Sequence, residues 1–138
     1  MAINLYLAEA YKRELIGKNA KQKGLTHQWS MWAIGDLQTP LIDIFIQLVF
    51  MPEEKRSMET IEKAKAKLPE LFNTIEVALS STKYLAGDEF TFADLNTASV
   101  VSIADRIEFD LSEYKNLNAW RSAISERPAF QRYMELRK

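Results

Sequence analysis

The run Tyr84-Leu85-Ala86-Gly87-Asp88-Glu89-Phe90-Thr91-Phe92-Ala93-Asp94-Leu95-Asn96 constrains this chain most, because it joins a glycine turn to a helix start. Thr91 and Asp94 have the spacing of a capping box. The threonine hydroxyl accepts from a backbone N–H one turn in, and the carboxylate reaches back to the first free N–H. Asp94 also favours the positive end of the helix dipole. Phe90, just before the cap, and Leu95, inside the first turn, are placed to close a hydrophobic staple. Both Thr91 and Asp94 therefore read as structural capping residues, each expected to cost about 1 kcal/mol on replacement by alanine.

The rest of the chain reads as all-α, a helical bundle in a single domain over residues 1–138. Four glycines and four prolines fall mostly where helices should stop or bend. A first helix, Ala2 to about Tyr11, has Ile3, Tyr6, Leu7 and Ala10 on one face. The polar stretch Lys18–Gly24 reads as a linker or ragged helix start. A long helix follows from about Gly24 to Phe50, with a bend near Asp36, because Pro40 has no N–H and clashes with the preceding turn. Another runs from Met58 to Leu79, with a kink expected at Pro69.

The capped helix, Thr91 to about Ile107, is apolar on several sides and belongs in the core. Its small polar residues Asn96, Thr97, Ser99 and Ser102 are expected to bond within the helix. A loop over Glu108–Asn116 leads to a helix from Leu117 to Arg127 that buries Leu117, Trp120 and Ile124. Pro128 starts a final helix with Phe130, Tyr133, Met134 and Leu136 as its packing side.

Composition removes several kinds of chemistry. The chain has no cysteine, which rules out disulfides, thiolate metal sites and a cysteine nucleophile within it, and His27 is the single histidine. No metal site and no Ser-His-Asp triad is expected, and His27 reads as a helix-surface or partly buried residue. A formal net charge of −1 without a basic block gives no electrostatic case for nucleic acid or an anionic membrane. Neither a secretory signal nor a long uninterrupted apolar run is evident, so the expected location is cytoplasmic. The carboxylate pairs Glu53/Glu54 and Asp88/Glu89 read as solvated surface.

Tyr84-Leu85-Ala86-Gly87-Asp88 through Thr91-Phe92-Ala93-Asp94-Leu95-Asn96, with Tyr114-Lys115-Asn116-Leu117-Asn118-Ala119-Trp120 and Arg127-Pro128-Ala129-Phe130, closely resembles the C-terminal domain of cytosolic glutathione transferases of the bacterial type. Residues 1–17, through Ala2-Ile3-Asn4-Leu5-Tyr6-Leu7-Ala8-Glu9, resemble the last helix of that family's preceding thioredoxin-like domain and its connection. The resemblance implies that the pair holding the γ-glutamyl end of glutathione, the catalytic Ser, Tyr or Cys and the cis-proline would all precede Met1. No catalytic residue is therefore carried over to this chain, and no cofactor. Glutathione enters as co-substrate only if a thioredoxin-like half is supplied.

What the resemblance does carry over is one wall of the pocket for a hydrophobic co-substrate. Trp32, Asp36 and Pro40, in steps of four on the long helix, are the candidates for that wall, and Asp36 is the least expected of them in a core. The implied partners are a second copy of the chain in a homodimer, a separate thioredoxin-like chain, and a hydrophobic small molecule. Three readings stand open. The chain is the substrate-binding half of a glutathione transferase, inactive alone; or a non-catalytic interaction module; or a carrier that binds an apolar ligand without chemistry.

Overall fold

The structure, a computed structural model, describes residues 1–136. Helix α1 spans Ala2–Tyr11, and a tight 3-10 turn at Arg13–Leu15 leads to α2, Ala20–Trp32. This second helix starts earlier than the sequence suggests, because the Asn19 side chain accepts from the Gln22 N–H at 3.0 Å. Of the two expected forms of this stretch, linker or helix start, it is a capped helix start. Gly17, at φ +126°, makes the entry possible: a Cβ there would lie 2.7 Å from Gln22 Cβ and 2.9 Å from its backbone carbon.

α2 continues through a widened π turn, Ala33–Leu37, into α3, Gln38–Phe45, and ends in a second wide turn at Ile46–Phe50. The first wide turn falls just before Pro40. An ordinary α turn there would set the proline ring against the Asp36 carbonyl, and the wider turn relieves that clash. The Arg56 guanidinium closes the far end, donating to the Leu48 carbonyl at 3.0 Å and the Met51 carbonyl at 3.3 Å.

The helix expected from Met58 to Leu79 is two helices, α4 (Met58–Lys65) and α5 (Leu68–Leu79). Pro69 lies in the first turn of α5, where its missing N–H costs nothing, so the chain breaks and restarts rather than kinking. Similarly, the capped helix divides into α6 (Phe92–Val101) and α7 (Ile103–Arg106). α7 closes with the Phe109 N–H donating to the Ala104 carbonyl at 3.0 Å and the Glu108 N–H to the Asp105 carbonyl at 3.4 Å. That closure needs a left-handed residue at Glu108, which sits at φ 54°. Replacing this exposed glutamate by glycine is expected to raise stability by about 1 kcal/mol in urea titrations. A loss of stability would mean that the side chain contributes more than its backbone strain costs.

α8 (Lys115–Ser125) has no cap of its own, since Tyr114 offers no side-chain acceptor. Glu76, from α5, supplies one. Its two carboxylate oxygens accept from the Asn116 N–H at 3.0 Å and the Leu117 N–H at 2.8 Å. Because this is a charged cap at a helix N-terminus, Glu76→Ala is expected to cost about 1–2 kcal/mol, seen as a lower urea midpoint with an unchanged slope. Nothing near Lys115 in sequence points to this residue.

The core is built from one face each of the rod, α5, α6 and α8: Leu37, Leu41 and Ile44 on the rod, Leu68, Phe72 and Ile75 on α5, Val101 on α6, and Leu117 and Trp120 on α8. Each of these is worth on the order of 1.5–3 kcal/mol by burial alone. Phe72 stacks on Phe109 at 5.4 Å and tilts against Tyr114 at 5.7 Å, so the expected loop after α7 contributes aromatics to the core.

Two expected packing faces are not buried. On α1 the apolar residues Ile3 (73% exposed) and Tyr6 (67%) face solvent, with Leu7 beside them. The buried side is Ala8, with Leu5 packed beside it against Ile16 and Phe92. On α9 (Pro128–Glu135) Phe130 alone is partly buried against the core, while Tyr133, Met134 and Leu136 are exposed. Periodicity shows that a helix has an apolar side, but a neighbouring element must be present to cover it.

Candidate functional site

The helix start at α6 has the geometry of a capping box and more. Thr91 Oγ1 accepts from the Ala93 N–H at 3.2 Å, and Asp94 Oδ2 accepts from the Thr91 N–H at 2.8 Å. Asp94 Oδ1 also accepts from the Leu85 N–H and from the Trp120 indole N–H, both at 2.9 Å. One carboxylate therefore joins the Tyr84–Gly87 turn, the first turn of α6 and the middle of α8. Its burial pushes the carboxyl above its ordinary value, against the opposing effect of the donors from Leu85, Thr91 and Trp120. Asp94 has no solvent access. A buried acid with every donor turned inward is a structural anchor, and no reacting group can approach it.

The two residues of the expected staple differ in exposure. Leu95 is exposed. Phe90 packs edge-on against Tyr84 at 5.8 Å and lies beneath the Arg127 guanidinium, 3.7 Å from the ring centroid. The Asn96 and Thr97 polar atoms do not bond within the helix either. Asn96 reaches α1 and α2, and Thr97 Oγ1, fully buried, has no partner. Ser99 and Ser102 do return to their own helix, donating to the Asn96 and Ser99 carbonyls.

On the rod, Trp29 and Trp32 meet edge to face at 5.2 Å, and both are partly buried against the core. Asp36 lies in the wide turn and is exposed, beside exposed Ile34 and Gly35. A Cβ added at Gly35 would meet nothing within 4 Å, so this side of the turn is open. Pro40 is buried. It borders a groove of about 220 Å³ between α3 and α4, together with Thr39, Asp43, Thr60, Lys63 and Lys67. A larger groove, about 350 Å³, lies between α6/α7 and α8/α9 and carries the Arg121–Asp105 ion pair, Ser102, Ser125 and Phe130. Trp32 and Asp36 line neither groove. The three candidate wall residues thus follow one another along the rod in three different environments.

No three His, Asp or Glu side chains converge as a metal-ligand set among the described residues. His27 is exposed on α2, and Glu53, Glu54, Asp88 and Glu89 are exposed as well. By length and composition alone the rod Ala20–Phe50 would suffice to cross a membrane. In this fold one side of it, from Ala33 through Ile44, is core.

Comparison with known proteins agrees with this architecture. Residues 37–128 match the family described as "Glutathione S-transferase, C-terminal domain". A glutathione S-transferase of Arabidopsis thaliana is 29% identical over 143 residues, covering 98% of this chain and 67% of its own length. Glutathione S-transferase GstB of Escherichia coli is 29% identical over 133 residues, 95% of this chain and 64% of its own. Among solved structures, the theta class glutathione S-transferase from Xanthomonas axonopodis pv. citri with glutathione bound superposes with a TM-score of 0.86 at 28% identity. That superposition takes in 95% of this chain and 69% of the other. The chain spans about two thirds of the length of these relatives.

Proposed function

Because the chain belongs to the glutathione S-transferase family through that C-terminal domain, we propose that it forms the helical half of such an enzyme and supplies the hydrophobic co-substrate wall. The observation that carries the reading is the wide turn at Ala33–Leu37, which opens the rod at Asp36 between Trp32 and Pro40. Wide π turns inside helices frequently coincide with functional positions. An aromatic electrophile would lie against Trp32 and the open side of the turn. Pro40 would act from beneath, by holding the turn wide.

In this reading glutathione binding and thiolate activation fall to a thioredoxin-like half; the hydroxyl–carboxylate pair Thr91–Asp94, 3.3 Å apart, is buried and serves as a cap. The exposed stripe Ile3, Tyr6, Leu7 and Tyr11 on α1 is the face we assign to contact with that half, whether it lies on the same polypeptide or another. Without it the same stripe favours a homodimer. We assign the chain to the bacterial type on the strength of the Escherichia coli and Xanthomonas relatives, although plant relatives match at similar identity.

The test combines turnover with binding. The chain alone is expected to leave the background reaction of glutathione with an activated chloronitroarene unchanged. It should nevertheless bind an aromatic dye, and Trp32→Ala should weaken that binding about tenfold, the equivalent of about 1.4 kcal/mol. Family-typical turnover by the chain alone would refute the division of labour. Unchanged dye affinity in the variant would remove Trp32 from the wall.

A further inference from the structure

A directional chain of hydrogen bonds runs from α1 through α6 to α2. The Asn4 side-chain amide on α1 donates to Asn96 Oδ1 on α6 at 2.8 Å. Asn96 Nδ2 donates to Ser30 Oγ on α2 at 2.9 Å, and Ser30 Oγ donates to the Thr26 carbonyl at 2.7 Å. Asn96 and Ser30 are buried, with exposures of 1% and 0%. An amide is suited to this place, since it presents an acceptor to one helix and a donor to the other from a single planar group.

The remaining attachment of α1 is slight. Only Ala8 is buried on that helix, and it belongs to a small cluster with Ile16 and Phe92, separate from the main core. A helix held by so few apolar contacts can slide or rotate at low cost, whereas a short hydrogen bond to a fixed buried partner admits one position. Asn96 is fixed, because Ser30 holds its other end. Ser30 in turn lies two residues before Trp32 on the same helix.

We propose that Asn96 is a positioning residue that pins α1 in register with the helix bearing the co-substrate wall. The proposal rests on the reading of α1 as the face toward the glutathione-binding half. It adds that the relative placement of the two half-sites passes through one buried amide in the helical domain. Asn96 touches no substrate in this arrangement. It acts through Asn4 on one side and Ser30 on the other.

Residue-resolved amide hydrogen exchange on the full chain tests the pin, using Asn4→Ala, Asn96→Ala and the double variant. In either single variant the protection of the Leu5–Lys12 amides is expected to fall about tenfold or more, with the α5 and α8 amides unchanged. The double variant should show no further loss, because both changes cut the same connection. The Trp32 indole N–H resonance should shift in each variant, while that of Trp120 stays in place. Should Asn96→Ala fail to fold, Asn4→Ala decides alone, since its side chain is only partly buried.

Unchanged α1 protection in Asn4→Ala would overturn the proposal. So would equal loosening of α1, α5 and α8 by a folded Asn96→Ala, or multiplying effects in the double variant. The pocket reading fails separately: loss of the pin leaves dye binding at Trp32 to be measured in the parent chain, and absence of that binding leaves the pin intact.

Discussion

Asp94→Ala is expected to lower the unfolding free energy by about 3–5 kcal/mol, several times the roughly 1 kcal/mol of an ordinary helix cap. The difference arises from what the substitution leaves behind. The Thr91 N–H, the Leu85 N–H and the Trp120 indole N–H all lose their acceptor within the protein, and each such orphan costs about 1–3 kcal/mol. Relief from burying a charge offsets part of that sum. For a domain of this size the loss corresponds to a melting temperature lower by on the order of 10–20 °C. Thr91→Ala, which orphans the Ala93 N–H alone, should stay near 1 kcal/mol. Asp94→Asn should fall between, because an amide keeps one acceptor oxygen and turns its NH₂ toward a donor. Equal costs for Asp94→Ala and Thr91→Ala in urea titrations would refute the three-way anchor.

The same residue gives a pH dependence of unusual sign. Burial raises the Asp94 carboxyl above the ordinary 3.8, so the folded chain binds its proton more readily than the unfolded chain. The stabilisation linked to that proton is fully present below the unfolded value and is lost as pH rises through the folded one. The stability gap between the parent chain and Asp94→Ala should therefore be widest in acid and narrow as pH increases through this window. A gap that instead widens with pH would mean that the donors outweigh burial.

Phe72→Ala is expected to cost about 3–5 kcal/mol, with Phe72→Leu costing far less. Phe72 has no solvent access and is the largest of the fully buried side chains. Truncation removes its apolar surface and leaves a cavity bordered by Phe109 and Tyr114, whose rings lie 5.4 Å and 5.7 Å from its own. Those ring contacts add on the order of 0.5–1.5 kcal/mol beyond area, so the alanine variant should stand near the upper end. Calorimetric melting measures the loss. A cost under about 1.5 kcal/mol would mean that Phe109 and Tyr114 close over the gap.

The two residues differ in how far sequence reveals them. Phe72 is visible as one of a series of apolar positions in helical steps, although its partner Phe109 lies in a segment that has no periodicity to announce it. Asp94 is visible only as half of a local cap. Trp120, which makes it an anchor, lies on another helix, and nothing in the spacing between them specifies a hydrogen bond. Asn96 and Glu76 are harder still. Asn96 reads as a small polar residue on a core helix and no motif singles out Glu76, yet the first spans three helices and the second caps a helix it does not belong to. For the candidate wall, Pro40 signals a disturbance near Asp36 because its ring chemistry is local. That Pro40 itself is buried, while Asp36 stays open, depends on α4 and the core beneath.

By itself the sequence determined helical class, the start of α6 and the disturbances near Pro40 and at Pro69, because caps, prolines and apolar periodicity act within a turn or two of the chain; the family came from the resemblance of longer motifs such as Tyr84–Asn96 and Tyr114–Trp120. Only the tertiary structure decided which apolar faces are covered, as on α1 and α9, and which polar side chains bind across helices. Covering a face and satisfying a buried donor both require a partner distant in sequence, and that partner is brought near only when the bundle closes.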